Sequence, residues 1–337
     1  MPSLLVLGGS HFVGRAVVAA ALDRDWQVVT FNRGGTAVPA GVEHLRGDRL
    51  DPGTLAPLAS RDWDLVIDTW SGAPRAVRDS THVLRERAAH YAYVSSGSVY
   101  TAPPTPGARE STPTVEGDPD GDDGEYPELK RGGELAVTRT FGDRALLARA
   151  GLILGPWENI GRLTWWLARM ARGGEILCPG PSDLPLQYID ARDLAAFLID
   201  APMAGHSGPF NVISHRGHAT TASLLSACRD VAGAPGVELT WVAPETIVSA
   251  GIEPWEELPI WIPPGHEYAA MHDYDVERAH AAGLRCRPVA DTVADTWRWL
   301  ESLGAAPVLR PGRPAPGLSA ERERATLAAW HTSQSAR

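Results

Sequence analysis

Ser96, Tyr126 and Lys130 are the residues whose types and spacing point most directly to chemistry. Lys130 is the single lysine among 31 Lys and Arg residues, so every other basic position is arginine. It stands four residues after Tyr126 in GEYPELKRGGE, a spacing that puts phenol and ammonium on one helical face. A carbonyl that accepts hydride becomes an alkoxide and needs a proton. A free tyrosine, with a pKa near ~10, is too weak an acid for that at neutral pH, and a nearby ammonium lowers the value by roughly 1–3. Lysine also serves as a compact donor to a cofactor ribose, where arginine's flat fork fits badly. Ser96, in YVSSGSVY, is suited to orient a carbonyl oxygen and share its developing charge, with Ser98 beside the substrate. Drift toward arginine spares a lysine only where an ammonium is required; a chance helix-surface pair is the plain alternative.

A second constellation is GGSHFVG, residues 8–14, placed after a strand and at a helix start. Gly8 makes the tight turn, Gly14 lets helix and sheet pack closely, and the first helical amides face a pyrophosphate. Ser10, His11 and Phe12 within the turn, and Thr69 at the end of DLVIDTW, are read as further cofactor contacts. His11 replaces the middle glycine of the dinucleotide motif, so the stretch also fits a strand-turn-helix without ligand. His11 itself is either a solvent-facing imidazole or a donor to a cofactor phosphate. The second strand ends in TFNRGG, with Asn32 and Arg33 where NAD sites carry an acid for the ribose 2′-hydroxyl; this favours NADP. A merely solvated Arg33 is the other reading.

These positions need a scaffold, and the chain supplies one. SLLVLGG, WQVVTFN, VEHLRG, DLVIDTW and YAYVSSG read as strands, with FVGRAVVAAALDRD and PRAVRDSTHVLRERAA as helices between them, followed by a helix over ELKRGGELAVTRTF and a strand DRALLARAGLIL. The alternation predicts an α/β, Rossmann-type doubly wound parallel sheet with a smaller C-terminal α/β substrate domain. Residues 1–155 plus 186–213 form the expected NAD(P)-binding domain, with LQYIDARDLAAFLID returning to it. Residues 156–185 plus 214–310 form the substrate domain, and 311–337 a proline/glycine linker and last helix, capped by Ser319. The second domain holds Trp157, Trp165, Trp166, Trp255 and Trp261, which either fill its core or line an aromatic pocket; Trp157, Trp165 and Trp261 are the candidate substrate contacts.

Composition excludes several classes. A net charge of −10 argues against a nucleic-acid partner. Cys178, Cys228 and Cys286 are scattered and odd in number, which fits neither a disulfide framework nor a zinc site. No run reaches the ~18 apolar residues that span a bilayer, and no charged leader precedes the first glycines, so a cytoplasmic chain is expected. Asp118, Asp120 and Asp122 have calcium-loop spacing but lack the glycine and the closing acid, so this is read as a solvated loop beside Tyr126. His206, His215 and His218 lack further ligands, and no metal is expected.

LGGSHFVG, Asp48 in RGDR, VSSGSVY, YPELK, QYIDARDLA and GPFNVIS together resemble the extended short-chain dehydrogenase/reductase family, also called the NAD-dependent epimerase/dehydratase family, over residues 3–300. The resemblance implies Ser96, Tyr126 and Lys130 as catalytic triad, Lys130 also on the cofactor ribose, and Asp48 against the adenine. GGSHFVG, FNRGG and VSSGSVY are similar to an atypical branch of bacterial reductases and chloroplast stem-loop-binding proteins, which leaves a non-catalytic RNA-binding or regulatory protein as the rival class. Family dehydratases carry acids after the catalytic serine or threonine, where this chain has Gly97 and Ser98. Epimerases carry an arginine where this chain has Leu186, so nucleotide-sugar epimerisation is the runner-up. An NAD(P)-dependent oxidoreductase acting on a small, largely apolar carbonyl or alcohol is the reading expected. The resemblance also allows a homodimer.

Overall fold

The computed structural model describes residues 1–35, 39–306, 309–310, 312 and 314–335. The apolar runs become six strands: β1 (Ser3–Leu7), β2 (Gln27–Asn32), β3 (Glu43–Arg46), β4 (Trp63–Asp68), β5 (Ala88–Ser96) and β6 (Ala145–Ala150). With Gly208–Val212 they make a seven-stranded sheet in the order Gly208–Val212, β6, β5, β4, β1, β2, β3. Every neighbouring pair is parallel, and helices flank the sheet: a Rossmann-type α/β fold. Strands buried on both faces must be nearly all apolar, which is why β1 reads SLLVL without alternation. The strand order reverses between β1 and β4, so a crevice opens beyond their carboxyl ends.

Three helices frame that crevice: α1 (Phe12–Leu22), α2 (Pro74–Leu84) and α3 (Tyr126–Phe141). α2 packs on α3, and α1 on the helix Ala191–Met203. Gly132 and Gly133 sit inside α3, where each costs roughly 0.5–1 kcal/mol against alanine. Close packing accounts for them. A Cβ at Gly132 would lie 2.5 Å from the Asp118 oxygen, and one at Gly133 would lie 2.4 Å from the Tyr93 hydroxyl.

Two elements are shorter than the sequence suggests. PRAVRDSTHVLRERAA stops being helix at Leu84, because Ala88 already pairs with Trp63 in the sheet. The run after Asp143 breaks at Gly151, where a Cβ would meet Ile213 Cδ1 at 1.9 Å.

The chain divides into two units: Met1–Ile153, Ile189–Ser214 and Tyr274–Cys286 in the first, Leu154–Tyr188, His215–Asp273 and Arg287–Arg337 in the second. Residues 274–286, expected in the substrate domain, therefore belong to the first unit. The Tyr274 ring lies 5.9 Å from that of Tyr100, and Asp275 N donates to Ala108 O at 3.1 Å. The second unit pairs Glu175–Pro179 in parallel with Glu238–Val242 beside helices Arg162–Ala171, Thr221–Ala232 and Val289–Ser302. The C-terminal helix Ala320–Ser335 belongs to this unit: Glu323 pairs with Arg169 at 2.8 Å, both buried, and Ser319 Oγ accepts from Arg322 N at 3.3 Å. Residues 307, 308, 311, 313, 336 and 337, within the expected linker and last helix, lie outside the described residues. No helix among the described residues is long and apolar enough to cross a membrane.

Candidate active site

The turn after β1 has no room for side chains. Gly8 and Gly9 have φ of +125° and +92°, values that favour glycine. A Cβ at Gly8 would lie 2.4 Å from Thr69 Oγ1, and one at Gly14 would lie 2.7 Å from Gly9 N. Thr69 Oγ1 is thus anchored in the crevice, donating to Leu7 O at 3.1 Å. Ser10 is partly exposed and His11 exposed at the start of α1, where the imidazole makes no capping bond. Phe12 follows with its ring buried and φ at +34°, strained for a bulky residue. The glycine pair matters as a pair: Gly9, which the motif spacing passes over, would meet Thr30 Cγ2 at 2.6 Å if it carried a Cβ.

At the end of β2, Asn32 Nδ2 donates to Gly8 O at 3.0 Å, and Asn32 Oδ1 accepts from Gly34 N at 2.8 Å. Asn32 therefore ties the glycine turn to the turn that carries the exposed Arg33. Asp48, partly buried, folds its own loop: Oδ1 accepts from Leu50 N at 3.0 Å, and its N–H donates to Thr54 Oγ1.

On the other side of the crevice stand the remaining candidates. Tyr126 is the first residue of α3 and 46% exposed, one helical turn before Lys130, which is only 2% exposed. Lys130 Nζ donates to Trp70 O at 2.5 Å and Val94 O at 2.7 Å, and lies 4.8 Å from the Tyr93 ring centroid. A buried ammonium is stable only with such partners. Ser96 ends β5; its Oγ accepts from Ser98 N at 3.1 Å and lies 3.1 Å from Ser98 Oγ. α3 packs against this Gly97–Val99 turn, which brings the serines and the helix of Tyr126 and Lys130 to one sheet edge. Tyr274 closes the back of the turn: a Cβ at Gly97 would lie 2.9 Å from its hydroxyl.

Two phenols, Tyr93 and Tyr126, stand on this side of the sheet. Burial, then the charges of Asp68 and Tyr126, push Tyr93 well above the ordinary tyrosine value. Tyr93 stays protonated and donates to Trp70 O at 3.2 Å, so Tyr126 is the accessible phenol.

Motif reading missed the buried polar groups that hold these residues. Arg49 pairs with Asp68 at 2.6 Å, and Asp68 also accepts from Tyr91 OH at 2.6 Å and Trp70 N at 2.9 Å. Glu134, fully buried, accepts from Ser95 Oγ at 2.7 Å and from Arg149 Nε at 2.9 Å. Glu134 follows Lys130 by four residues, so the periodicity that pairs Tyr126 with Lys130 extends to it.

The acidic loop before Tyr126 is pinned, not merely solvated: Asp120 pairs with Arg78 at 2.8 Å, and Asp122 pairs with Arg75. In the second unit, Trp261 is 1% exposed and donates Nε1–H to Gly180 O at 3.0 Å. Trp165 packs its indole on Gly317 and edge-on to Trp166, while Trp157 is half-buried with φ at +68°.

A 2-alkyl-3-oxoalkanoate reductase from Stenotrophomonas maltophilia is 29% identical over 265 residues, covering 70% of this chain and 77% of its own. The Bordetella bronchiseptica enzyme WbmH, solved in complex with NAD+, shares the fold at a TM-score of 0.68 and 14% identity over 90% of this chain and 100% of its own. The UDP-N-acetylglucosamine 4-epimerase of Methanobrevibacter ruminantium, solved with UDP-N-acetylmuramic acid, does so at 0.66 and 15% identity over 90% and 99%. The model of the NAD dependent epimerase/dehydratase family matches residues 4–212, which span the glycine turn, the serine turn, Tyr126 and Lys130, and the chain belongs to that family.

Proposed function

We propose that this protein is an NADP-preferring oxidoreductase that reduces a carbonyl, or oxidises the corresponding alcohol, of a small and largely apolar substrate. The observation that carries the reading is Lys130, a buried ammonium fixed by two main-chain carbonyls one turn below the accessible phenol of Tyr126. The residues present fit a dinucleotide: side chains are absent where a pyrophosphate must approach, at Gly8, Gly9 and Gly14, Thr69 Oγ1 stands against Gly8, and Asp48 and Lys130 would hold the adenine and the ribose. The bound cofactor supplies or accepts the hydride.

The chain's own residues handle the oxygen and the proton. Ser96 Oγ donates to the carbonyl oxygen as negative charge develops there. Tyr126 delivers its phenolic proton to that oxygen in reduction and removes it in oxidation. Lys130 stabilises the phenolate by its charge. The reductase similarity supports a ketone substrate, since the relative's name describes a 3-oxoalkanoate. Epimerisation of a nucleotide sugar is less favoured, because Leu186 stands where similar epimerases carry an arginine for the diphosphate.

The test is to titrate purified protein with NADPH and NADH, following energy transfer from tryptophan to the nicotinamide, and then to follow NADPH consumption with 3-oxo esters and cyclic ketones. Saturable binding with turnover of a ketone supports the reading. Binding of neither dinucleotide sinks it and brings forward the RNA-binding or regulatory class.

A further inference from the structure

We infer that Arg46, at the end of β3, joins Arg33 to form the subsite for the 2′-phosphate of the dinucleotide, and that Asn32 acts as the lock of this subsite instead of a ribose ligand. This rests on the dinucleotide reading above and adds a residue and a mechanism of choice to it.

Asn32 and Arg46 are register partners at the carboxyl ends of two adjacent parallel strands. Arg33 follows Asn32 and is exposed, and Arg46 is exposed as well. The turn between them brings the second guanidinium stem close. Gly34 has φ at +80°, and a Cβ there would lie 3.6 Å from Arg46 Cδ and Nε and 3.2 Å from His44 Cε1. The Arg46 stem thus lies within van der Waals reach of the turn that follows Arg33, and a side chain at residue 34 would crowd His44, the ring that holds Asn32.

Asn32 settles what this corner can recognise. An NAD site needs an acceptor for the ribose 2′-hydroxyl. Asn32 Oδ1 already takes two donors, Gly34 N at 2.8 Å and His44 Nε2 at 3.0 Å. Its Nδ2 donates to Gly8 O at 3.0 Å, which fixes the orientation of the amide and makes His44 Nε2 the protonated nitrogen. Both acceptor sites of the amide oxygen are used, so no acceptor remains for a hydroxyl.

The nearby acids have partners other than these two arginines. Glu43 pairs with Arg61, Asp48 Oδ1 accepts from Leu50 N, and Asp51 Oδ1 accepts from Gly53 N. Among the described residues neither Arg33 nor Arg46 has an ion-pair partner. Two guanidinium groups at neighbouring strand ends, neither in an ion pair among the described residues, beside an amide with no acceptor to spare, suit a phosphate monoester.

The experiment measures dissociation constants of NADPH and NADH for the wild type, Arg46→Ala and Arg33→Ala by energy transfer, and displacement of NADPH by 2′,5′-ADP and by 5′-ADP. Arg46→Ala is expected to weaken NADPH and 2′,5′-ADP by about tenfold or more, as loss of a charge-assisted contact does, while NADH changes by less than about twofold. An unchanged NADPH constant in Arg46→Ala, an equal loss for both dinucleotides, or a wild type that prefers NADH overturns this inference and leaves the dinucleotide reading standing. A wild type that binds neither dinucleotide defeats that reading and the inference with it.

Discussion

Lys130 Nζ donates to the main-chain oxygen of Trp70 at 2.5 Å, and Trp70 is itself held by its N–H to Asp68 Oδ1 at 2.9 Å. The ammonium is thereby positioned from the sheet and not only from its own helix. Asp68 is in turn gripped by Arg49, the neighbour of Asp48 in the loop after β3. A lysine in this place ties two strand ends to the helix.

Replacement of Lys130 by arginine should therefore fail twice. A guanidinium overfills a slot whose carbonyls stand at 2.5 and 2.7 Å, which costs about 1–3 kcal/mol, and it displaces the charge from Tyr126. Thermal melting and ketone turnover of Lys130→Arg should both fall. Wild-type turnover in this variant would make the single lysine an accident of composition.

Tyr126→Phe should separate chemistry from stability. The residue is half-exposed at the start of α3, so melting should stay within about 0.5 kcal/mol of wild type. Turnover should drop on the order of 10²–10⁴, the scale of general acid–base catalysis. Near-full activity removes Tyr126 from the mechanism.

Gly14→Ala should abolish saturable dinucleotide binding, because the new methyl lies 2.7 Å from Gly9 N and forces the turn open. Gly35→Ala, with nothing within 4 Å, is the matched control and should bind as wild type does. Equal binding in both variants would show that the turn tolerates expansion.

Glu134→Gln should cost about 3–5 kcal/mol, since it leaves Arg149 a buried charge, whereas Arg149→Met should cost less, because Arg131 still pairs with Glu134 at 2.9 Å. Urea unfolding of Glu134→Gln and Arg149→Met measures this. A loss below about 1 kcal/mol would mean that water reaches the pair.

His272, in the second unit, predicts a pH dependence. Burial lowers its pKa from the ordinary 6.5, against the opposing effect of its contacts to Ile260 and Gln187. Below 6.5 the unfolded chain binds more protons than the folded one, so the contribution to stability is fully present above 6.5 and is lost as pH falls toward the lower folded value. The wild-type urea midpoint should decline from pH 7.5 to pH 5.5 more steeply than that of His272→Gln. Parallel declines would assign the titration to other groups.

The sequence alone determined the scaffold and the chemical types at its edge. Apolar strands bounded by glycine, helices between them and the four-residue step from Tyr126 to Lys130 are local patterns, and local patterns survive in one dimension. Tertiary structure decided what no spacing carries. Gly132 and Gly133 look like helix faults until Asp118 and Tyr93 are seen against them. Trp261 fits core or pocket by its sequence alone, and only the fold shows it 1% exposed. Asn32 is, in sequence, only a strand end without an acid; the fold shows Gly8, Gly34 and His44 taking up its hydrogen bonds. Arg46 carries no motif; it matters because a parallel register sets it beside Asn32, fourteen residues away in sequence. The physical reason is the same in each case: burial and hydrogen-bond partners are properties of neighbours in space, which the chain acquires only when the sheet has formed.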